Sequence, residues 1–226
     1  MSTDRRRDVG PRIGVTMRVV KEPVHVELRD ALAHDWARLI SAALPEAIWM
    51  PVPNCGAAAR ELAVDWALTG LILTGGDDIG ASAIRDETER ALLNHFLAAG
   101  LPVFGVCRGL QMIQTHFGGD LAPCPRSEHV AQRHSVRLQR DVGGLGLGDV
   151  GVEVNSYHAQ GIRAGELASP LACLAEAGAW TEAGFCLDPP VAGVMWHPER
   201  EEKVQEFDRT ILRSIFAADD RAAVGM

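Results

Sequence analysis

Pro102-Val103-Phe104-Gly105-Val106-Cys107-Arg108-Gly109-Leu110-Gln111 decides how this chain is read. An apolar run climbs into Gly-x-Cys-x-Gly, and an apolar helical pattern follows at once. That layout predicts a buried strand turning sharply into a helix, with the Cys107 sulfur projecting at the bend. The first free N–H groups of the helix then point at whatever the sulfur attacks. The positive end of a helix also favours a thiolate over a thiol. Buried free cysteines are common and inert, so the glycine-flanked strand end is what marks Cys107 as a nucleophile.

A nucleophilic thiol needs a base. Val191-Ala192-Gly193-Val194-Met195-Trp196-His197-Pro198-Glu199 reads as a strand ending in His-Pro-Glu. Residues two apart on an extended chain face the same side, and Pro198 keeps His197 out of the helical region. His197 and Glu199 therefore point together, and the carboxylate would set the ring's tautomer and stabilise its protonated form. Leu71-Ile72-Leu73-Thr74-Gly75-Gly76-Asp77-Asp78 is a further apolar strand, broken by two glycines. Glycines let backbone N–H groups approach a ligand closely. Acyl transfer needs donors at its oxyanion, each worth about 2.7–4 kcal/mol. The backbone of Arg108 and that of Gly76 or its neighbour are the expected donors.

These segments, with Asn155-Ser156-Tyr157-His158-Ala159-Gln160-Gly161, resemble the class I glutamine amidotransferase superfamily in order and spacing over nearly the whole chain. The resemblance implies Cys107 as nucleophile, His197 as base, Glu199 as its orienting carboxylate, and a γ-glutamyl thioester. It also implies that Gly75, Gln111, Asn155, Ser156, Tyr157 and His158 help hold the glutamyl part of the substrate. Gln111 lies one helical turn past Cys107. Cys-Arg-Gly-x-Gln and Asn-Ser-x-His-x-Gln-Gly are similar to the γ-glutamyl hydrolase branch, which includes enzymes cleaving γ-glutamyl-γ-aminobutyrate. The stretch from His25 to Trp36 resembles the matching part of γ-glutamyl-CDP-amidate hydrolases. Asp77 departs from the proline that synthase-type amidotransferases often carry there, and no secretory leader is evident.

The 226 residues are enough for one sizeable α/β domain, with residues 1–10 expected to form a disordered tail. Hydrophobic residues make up 47% and charged residues 23%, ordinary for a globular protein and an argument against disorder. A net charge of −8 speaks against a nucleic-acid partner. Arg5-Arg6-Arg7 reads as a solvated terminus. No apolar run reaches the roughly 18–20 residues that span a bilayer. Five scattered cysteines fit a reducing cytoplasm, and eight dispersed histidines show no metal-ligand spacing, so neither metal nor cofactor is expected. His129 and His134 read as ordinary loop and strand residues.

Strands are expected over Arg12–Met17, Ala47–Val52, Leu71–Thr74 and Leu101–Cys107. They alternate with helices over Val26–Ala43, Ala57–Trp66, Asp86–Ala99 and Arg108–Phe117. Such alternation predicts a flavodoxin-like, three-layer α/β fold: a mostly parallel sheet with helices on both faces. Beyond Phe117 come strands over His134–Gln139, Gly151–Asn155, Cys173–Ala177, Trp180–Leu187 and Val191–Trp196. These form an added strand-rich C-terminal part, with Gly143–Gly148 as a surface turn and a last helix over Lys203–Phe216. Asp219–Met226 is expected to fray.

The expected activity is hydrolysis of a small-molecule γ-glutamyl amide, releasing glutamate and an amine or a phosphoramidate. The other reading is a glutaminase subunit that passes ammonia to a synthase partner; Asp77 and Cys-Arg-Gly-x-Gln favour the first. A non-catalytic binding module would not need Cys107, His197 and Glu199 together. A nucleotide-linked leaving group would call on cations, for which Arg18, Lys21, Arg29 and Arg126 are the candidates. A homodimer is compatible with the sequence, which does not decide the oligomeric state.

Overall fold

The computed structural model describes residues 10–24, 27–139 and 144–217. Arg5–Arg7, His25, Val26, Gly143 and the segment from Asp219 onward lie outside these. In chain order the elements begin with β1 (Arg12–Thr16), β2 (Arg18–Lys21), β3 (Leu28–Ala31), α1 (Asp35–Ala43) and β4 (Ile48–Val52). They continue with α2 (Ala59–Asp65), β5 (Gly70–Leu73), α3 (Ala83–Ala98), β6 (Val103–Val106) and α4 (Arg108–His116). β7 (Ala122–Pro123), α5 (Arg126–His129), β8 (Val130–Leu138), β9 (Val150–Tyr157) and β10 (Gln160–Arg163) follow. The chain closes with β11 (Ala172–Ala177), β12 (Trp180–Cys186), β13 (Val191–Val194) and α6 (Glu206–Phe216).

The parallel part of the sheet runs β4-β1-β5-β6-β13. Counting only these parallel strands, the order is 2-1-3-4-5, the flavodoxin-like arrangement. Side chains leave a strand on alternate faces, so a sheet covered on both sides needs apolar residues at every position. Leu71, Ile72 and Leu73 obey that rule. Ile72 packs in one core with Trp36, Leu39 and Ile40 of α1 and Ile211, Leu212 and Ile215 of α6. Leu71 and Leu73 pack in the other, with Ala63 of α2, Phe96 of α3 and Ile113 of α4. Beyond β13 the sheet continues antiparallel through β12, β11, β8 and β9, with β10 on β12 and β7 on β10. It is a mixed sheet: the parallel half matches the sequence reading, and the strand-rich part is its antiparallel continuation.

One segment departs from expectation. The helix anticipated over Val26–Ala43 is only α1, and residues before it form the ribbon β2-β3. Leu28 sits at helical spacing from Leu32 and Trp36, but it is 68% exposed and belongs to no core. The inward stripe begins at Trp36. The two-residue strand β7, the four-residue β10 and the single turn α5 were too short for periodicity to reveal.

Glycines bring α4 down onto the sheet. A Cβ at Gly105 would stand 2.5 Å from the Gly109 carbonyl carbon, and one at Gly109 would run into the Leu73 carbonyl oxygen. Close-packed interiors do not absorb such overlap, least of all against backbone. Gly109→Ala is therefore expected to lower stability by about 1–3 kcal/mol. Urea unfolding checks this, and a loss under about 0.5 kcal/mol, the range of inconsequential surface changes, would contradict it.

Candidate active site

The turn from β6 into α4 holds Cys107 at φ +52°, ψ −104°, a region that residues other than glycine rarely enter. Such a conformation costs about 1–3 kcal/mol and persists only where the surroundings enforce it. Here the Cys107 N–H donates to the Val194 carbonyl at 2.7 Å, and the Cys107 carbonyl accepts from the Gln111 N–H at 3.1 Å. The bend is thus tied to the neighbouring strand and to its own helix.

Beneath the bend lies a buried set of charges. The Arg108 guanidinium bonds Glu89 and Asp86 of α3. Arg85 donates to Glu89 at 2.9 Å, and so does the Thr16 hydroxyl. Arg85 also reaches the loop after β5, donating to the Thr74 and Gly75 carbonyls at 2.8 and 3.0 Å. Two guanidiniums and two carboxylates therefore brace both the start of α4 and the glycine pair. Gly76 has φ +143°, and a Cβ there would collide with Arg85 Nη1. The Arg108 side chain serves this brace, while its backbone N–H heads α4 beside Cys107.

His197 follows β13 and heads a short 3-10 turn over Pro198–Arg200. Its Nδ1 lies 2.7 Å from Glu199 Oε1, both residues being buried. Asn155 grips the same residue by its backbone. Its amide oxygen accepts from the His197 N–H at 2.9 Å, and its amide nitrogen donates to the His197 carbonyl at 2.8 Å. Arg38 of α1 fixes the turn by donating to the Glu199 and Glu201 carbonyls. The His197 ring lies against Gly75, where a Cβ would come within 2.6 Å of Cε1. Burial, the largest influence on this ring, disfavours its charge. Hydrogen bonding to Cys107 and Glu199 outweighs burial, and the pKa is pushed up to about 9.

A cavity of about 430 Å³ opens at this end of the sheet, lined by Gly76, Cys107, Gln111, Arg126, Tyr157 and His158 among others. Gln111 stands in its wall and donates to the Gln160 carbonyl at 3.0 Å. A smaller recess beside it reaches Arg18, Trp36, Gly75, His197 and Glu199. Two residues expected at the substrate are placed elsewhere. Asn155 faces the His197 backbone, and the buried Ser156 hydroxyl donates to the His129 carbonyl at 2.7 Å. Tyr157 alternates back to the His197 side, with ring centroids 5.6 Å apart, and Arg200 stacks on it. Of the cationic candidates, Arg126 lines the cavity and Arg18 the recess. Arg29 pairs with Glu22 and Glu27, and Lys21 is exposed at the end of β2.

A second cysteine, histidine and glutamate also converge. Cys124 Sγ lies 3.7 Å from His158 Nδ1, and His158 Nε2 lies 3.6 Å from Glu182 Oε1. The described residues therefore hold the Cys-His-Glu set of a thiol hydrolase twice. The two differ chemically. Burial first, then the Glu182 charge, push the Cys124 thiol up to about 12. His158 Nδ1 also lies 3.0 Å from the Gln160 carbonyl, which only accepts, so that nitrogen carries a proton and cannot take one from Cys124. Glu182, His129 and Arg85 were not singled out from sequence as site residues. A lone glutamate inside the apolar run Trp180–Cys186 was the signal for the first.

Residues 11–199 match the Peptidase C26 family, and the chain belongs to it, within the class I glutamine amidotransferase superfamily. A gamma-glutamyl-CDP-amidate hydrolase from Campylobacter jejuni is 29% identical over 201 residues, covering 84% of this chain and 90% of that protein. The gamma-glutamyl-gamma-aminobutyrate hydrolase PuuD of Escherichia coli is 26% identical over 164 residues, 63% of each chain. A solved glutamine amidotransferase from Thermotoga maritima superposes with a TM-score of 0.61 at 10% identity, over 96% of this chain and 94% of that one. That likeness is one of fold. Among the described residues no helix is long and apolar enough to cross a membrane.

A raised histidine pKa stabilises the fold below its unfolded value of about 6.5. That contribution is lost as pH rises through about 9. Urea midpoints taken at pH 6 and pH 10 should therefore fall further for the native chain than for His197→Asn. Equal falls would refute the assignment.

Proposed function

We propose that the chain hydrolyses a γ-glutamyl amide through a thioester on Cys107. The observation that carries this reading is the strained Cys107 turn, opening onto the same cavity as Gly76 while Glu199 and Asn155 lock His197 alongside Gly75. Glu199 occupies Nδ1 of His197, which leaves Nε2 for proton transfer.

Cys107 Sγ attacks the δ-carbonyl carbon as its proton passes to His197 Nε2, whose proton affinity hydrogen bonding to Cys107 and Glu199 raises. The tetrahedral oxyanion takes N–H bonds from Gly76 and Arg108, at about 2.7–4 kcal/mol per donor. The C–N bond then breaks, and the leaving nitrogen receives the His197 proton. Water takes the place of the amine and gives a proton to His197 as its oxygen attacks the thioester. The C–S bond breaks, glutamate departs, and sulfur and imidazole share the returned proton. Gln111 and Tyr157, in the cavity wall, are the side chains placed to hold the glutamyl part.

For the leaving group we favour a phosphate-bearing amidate of the γ-glutamyl-CDP-amidate type over γ-glutamyl-γ-aminobutyrate. Arg126, which shares the cavity lining with Asp77 and Asp78, and Arg18 in the neighbouring recess, 3.7 Å from Asp77, are the cations within reach of phosphate oxygens. The Campylobacter relative also aligns over more of the chain than PuuD does. The site needs no synthase partner or cofactor in this scheme. All five cysteines are free thiols, which accords with a reducing cytoplasm.

Purified protein assayed on γ-glutamyl-CDP-amidate, γ-glutamyl-γ-aminobutyrate and glutamine should show its highest kcat/KM on the first. Glutamine as the best substrate would instead make the chain a glutaminase. Cys107→Ala should lower kcat about 10⁴-fold or more, and Glu199→Gln about 10³- to 10⁴-fold. Cys124→Ala should keep activity within about tenfold, since its thiol sits outside the proton path. Loss at Cys124 with retention at Cys107 would move the nucleophile to the second cluster.

A further inference from the structure

Behind the cavity, four residues from separate elements turn their polar atoms to one point. Glu182 projects from the middle of β12, His129 ends α5, His134 lies on β8, and His158 follows β9. His129, His158 and Glu182 are buried, and His134 is largely so. Five of their side-chain atoms are buried without a hydrogen-bond partner: His129 Nδ1, His134 Nε2, His158 Nε2 and both Glu182 oxygens. Native interiors leave few such atoms, and a cluster of them points to an ion or water that completes it.

The spacing separates these possibilities. His129 Nδ1 and His158 Nε2 stand 3.5 and 3.6 Å from Glu182 Oε1, and His134 Nε2 stands 3.7 Å from Oε2. Direct hydrogen bonds would draw such pairs to about 2.7–3.2 Å. Ligands bound at about 2.0–2.1 Å around a tetrahedral zinc lie about 3.3 Å from one another. The donor atoms of His129, His158 and Glu182 all fall within 4.8 Å of one another. Metal-bound histidines usually donate their other ring nitrogen to a carbonyl or carboxylate, which leaves the ligating lone pair free. His158 does so: Nδ1 lies 3.0 Å from the Gln160 carbonyl, and Nε2 faces Glu182. An outer cavity of about 570 Å³, lined by His129, His134 and Trp180, provides an entry path.

We propose that His129, His158 and Glu182 bind a divalent transition metal ion, zinc by their ligand type, with His134 facing the second Glu182 oxygen from outside the ligand set and water as fourth ligand. Two imidazoles and a carboxylate form a common zinc set. Cys124 stays outside it, since its sulfur faces the Nδ1 side of the His158 ring. The ion would pin the cavity wall, because His158 and Arg126, on the same single turn as His129, both line the proposed substrate cavity. That consequence rests on the hydrolase reading; metal binding itself does not.

The test uses the full chain purified without a histidine tag or chelator. Elemental analysis should give about one zinc per chain, and cobalt(II) loaded after chelation should show the visible bands of a tetrahedral site. Glu182→Gln and His129→Asn should each weaken cobalt binding at least about a hundredfold, while Cys107→Ala leaves the spectrum unchanged. If those variants fail to fold, the native chain still decides through its zinc content and its melting temperature with and without chelator, which should fall on chelation. Metal removal should raise KM more than it lowers kcat. A native chain that takes up neither zinc nor cobalt would overturn the proposal. So would a cobalt spectrum unaltered in a folded Glu182→Gln protein, or thiolate bands that vanish in Cys124→Ser.

Discussion

Two arginines and two carboxylates under the end of the sheet hold the Cys107 turn and the glycine loop beside it in place. Glu89 accepts from Arg85, Arg108 and Thr16, and so joins α3, the head of α4 and the end of β1. Arg85 then carries the restraint to the Thr74 and Gly75 carbonyls, on the loop that would supply an oxyanion donor. A buried ion network is weak evidence for stability in itself, since desolvation offsets much of the attraction. Removing one partner is another matter, because it strands an uncompensated charge at a cost of about 3–5 kcal/mol. The network is better understood as a positioning device. It fixes the turn on which Cys107 is strained relative to the loop that faces it.

The sheet sets the remaining distances. Ligand sites of open α/β sheets gather at the carboxyl ends of strands, where loops from neighbouring strands meet. β5, β6 and β13 are adjacent and parallel, so Gly75–Gly76, Cys107 and His197 emerge side by side although the chain separates them widely. The antiparallel extension supplies a second layer of control. β9 delivers Asn155 to the backbone of His197 and Tyr157 to its ring, and β12 places Glu182 behind His158. The extension is thus a scaffold for the imidazole and for the cavity wall, as well as added sheet.

The parallel half of the fold was legible in the sequence because its signals are local. Continuous apolar runs of four to six residues, glycine breaks and amphipathic helices record the demands of a sheet covered on both faces. Strand β3 falls where the spacing predicts helix because Leu28 and Leu32 share helical spacing with Trp36, although Leu28 turns to solvent. Periodicity reports which residues are apolar and leaves open which of them find a partner. Linear spacing likewise gave no hint that His129, His134, His158 and Glu182 converge, because they come from four separate parts of the chain.

What the chain carried openly was chemistry that backbone sterics write into neighbouring residues. Gly-x-Cys-x-Gly demands a tight bend with a close helix behind it, Thr-Gly-Gly opens a loop's amides, and His-Pro-Glu sets a ring beside a carboxylate. Tertiary structure alone decided what surrounds them. It gave Asn155 the His197 backbone in place of a ligand, placed Arg108 in the charge network, and turned three imidazoles toward Glu182. These outcomes depend on strand register and on helices crossing at fixed depth. Both are set by long-range packing, and a run of neighbouring residues cannot encode them.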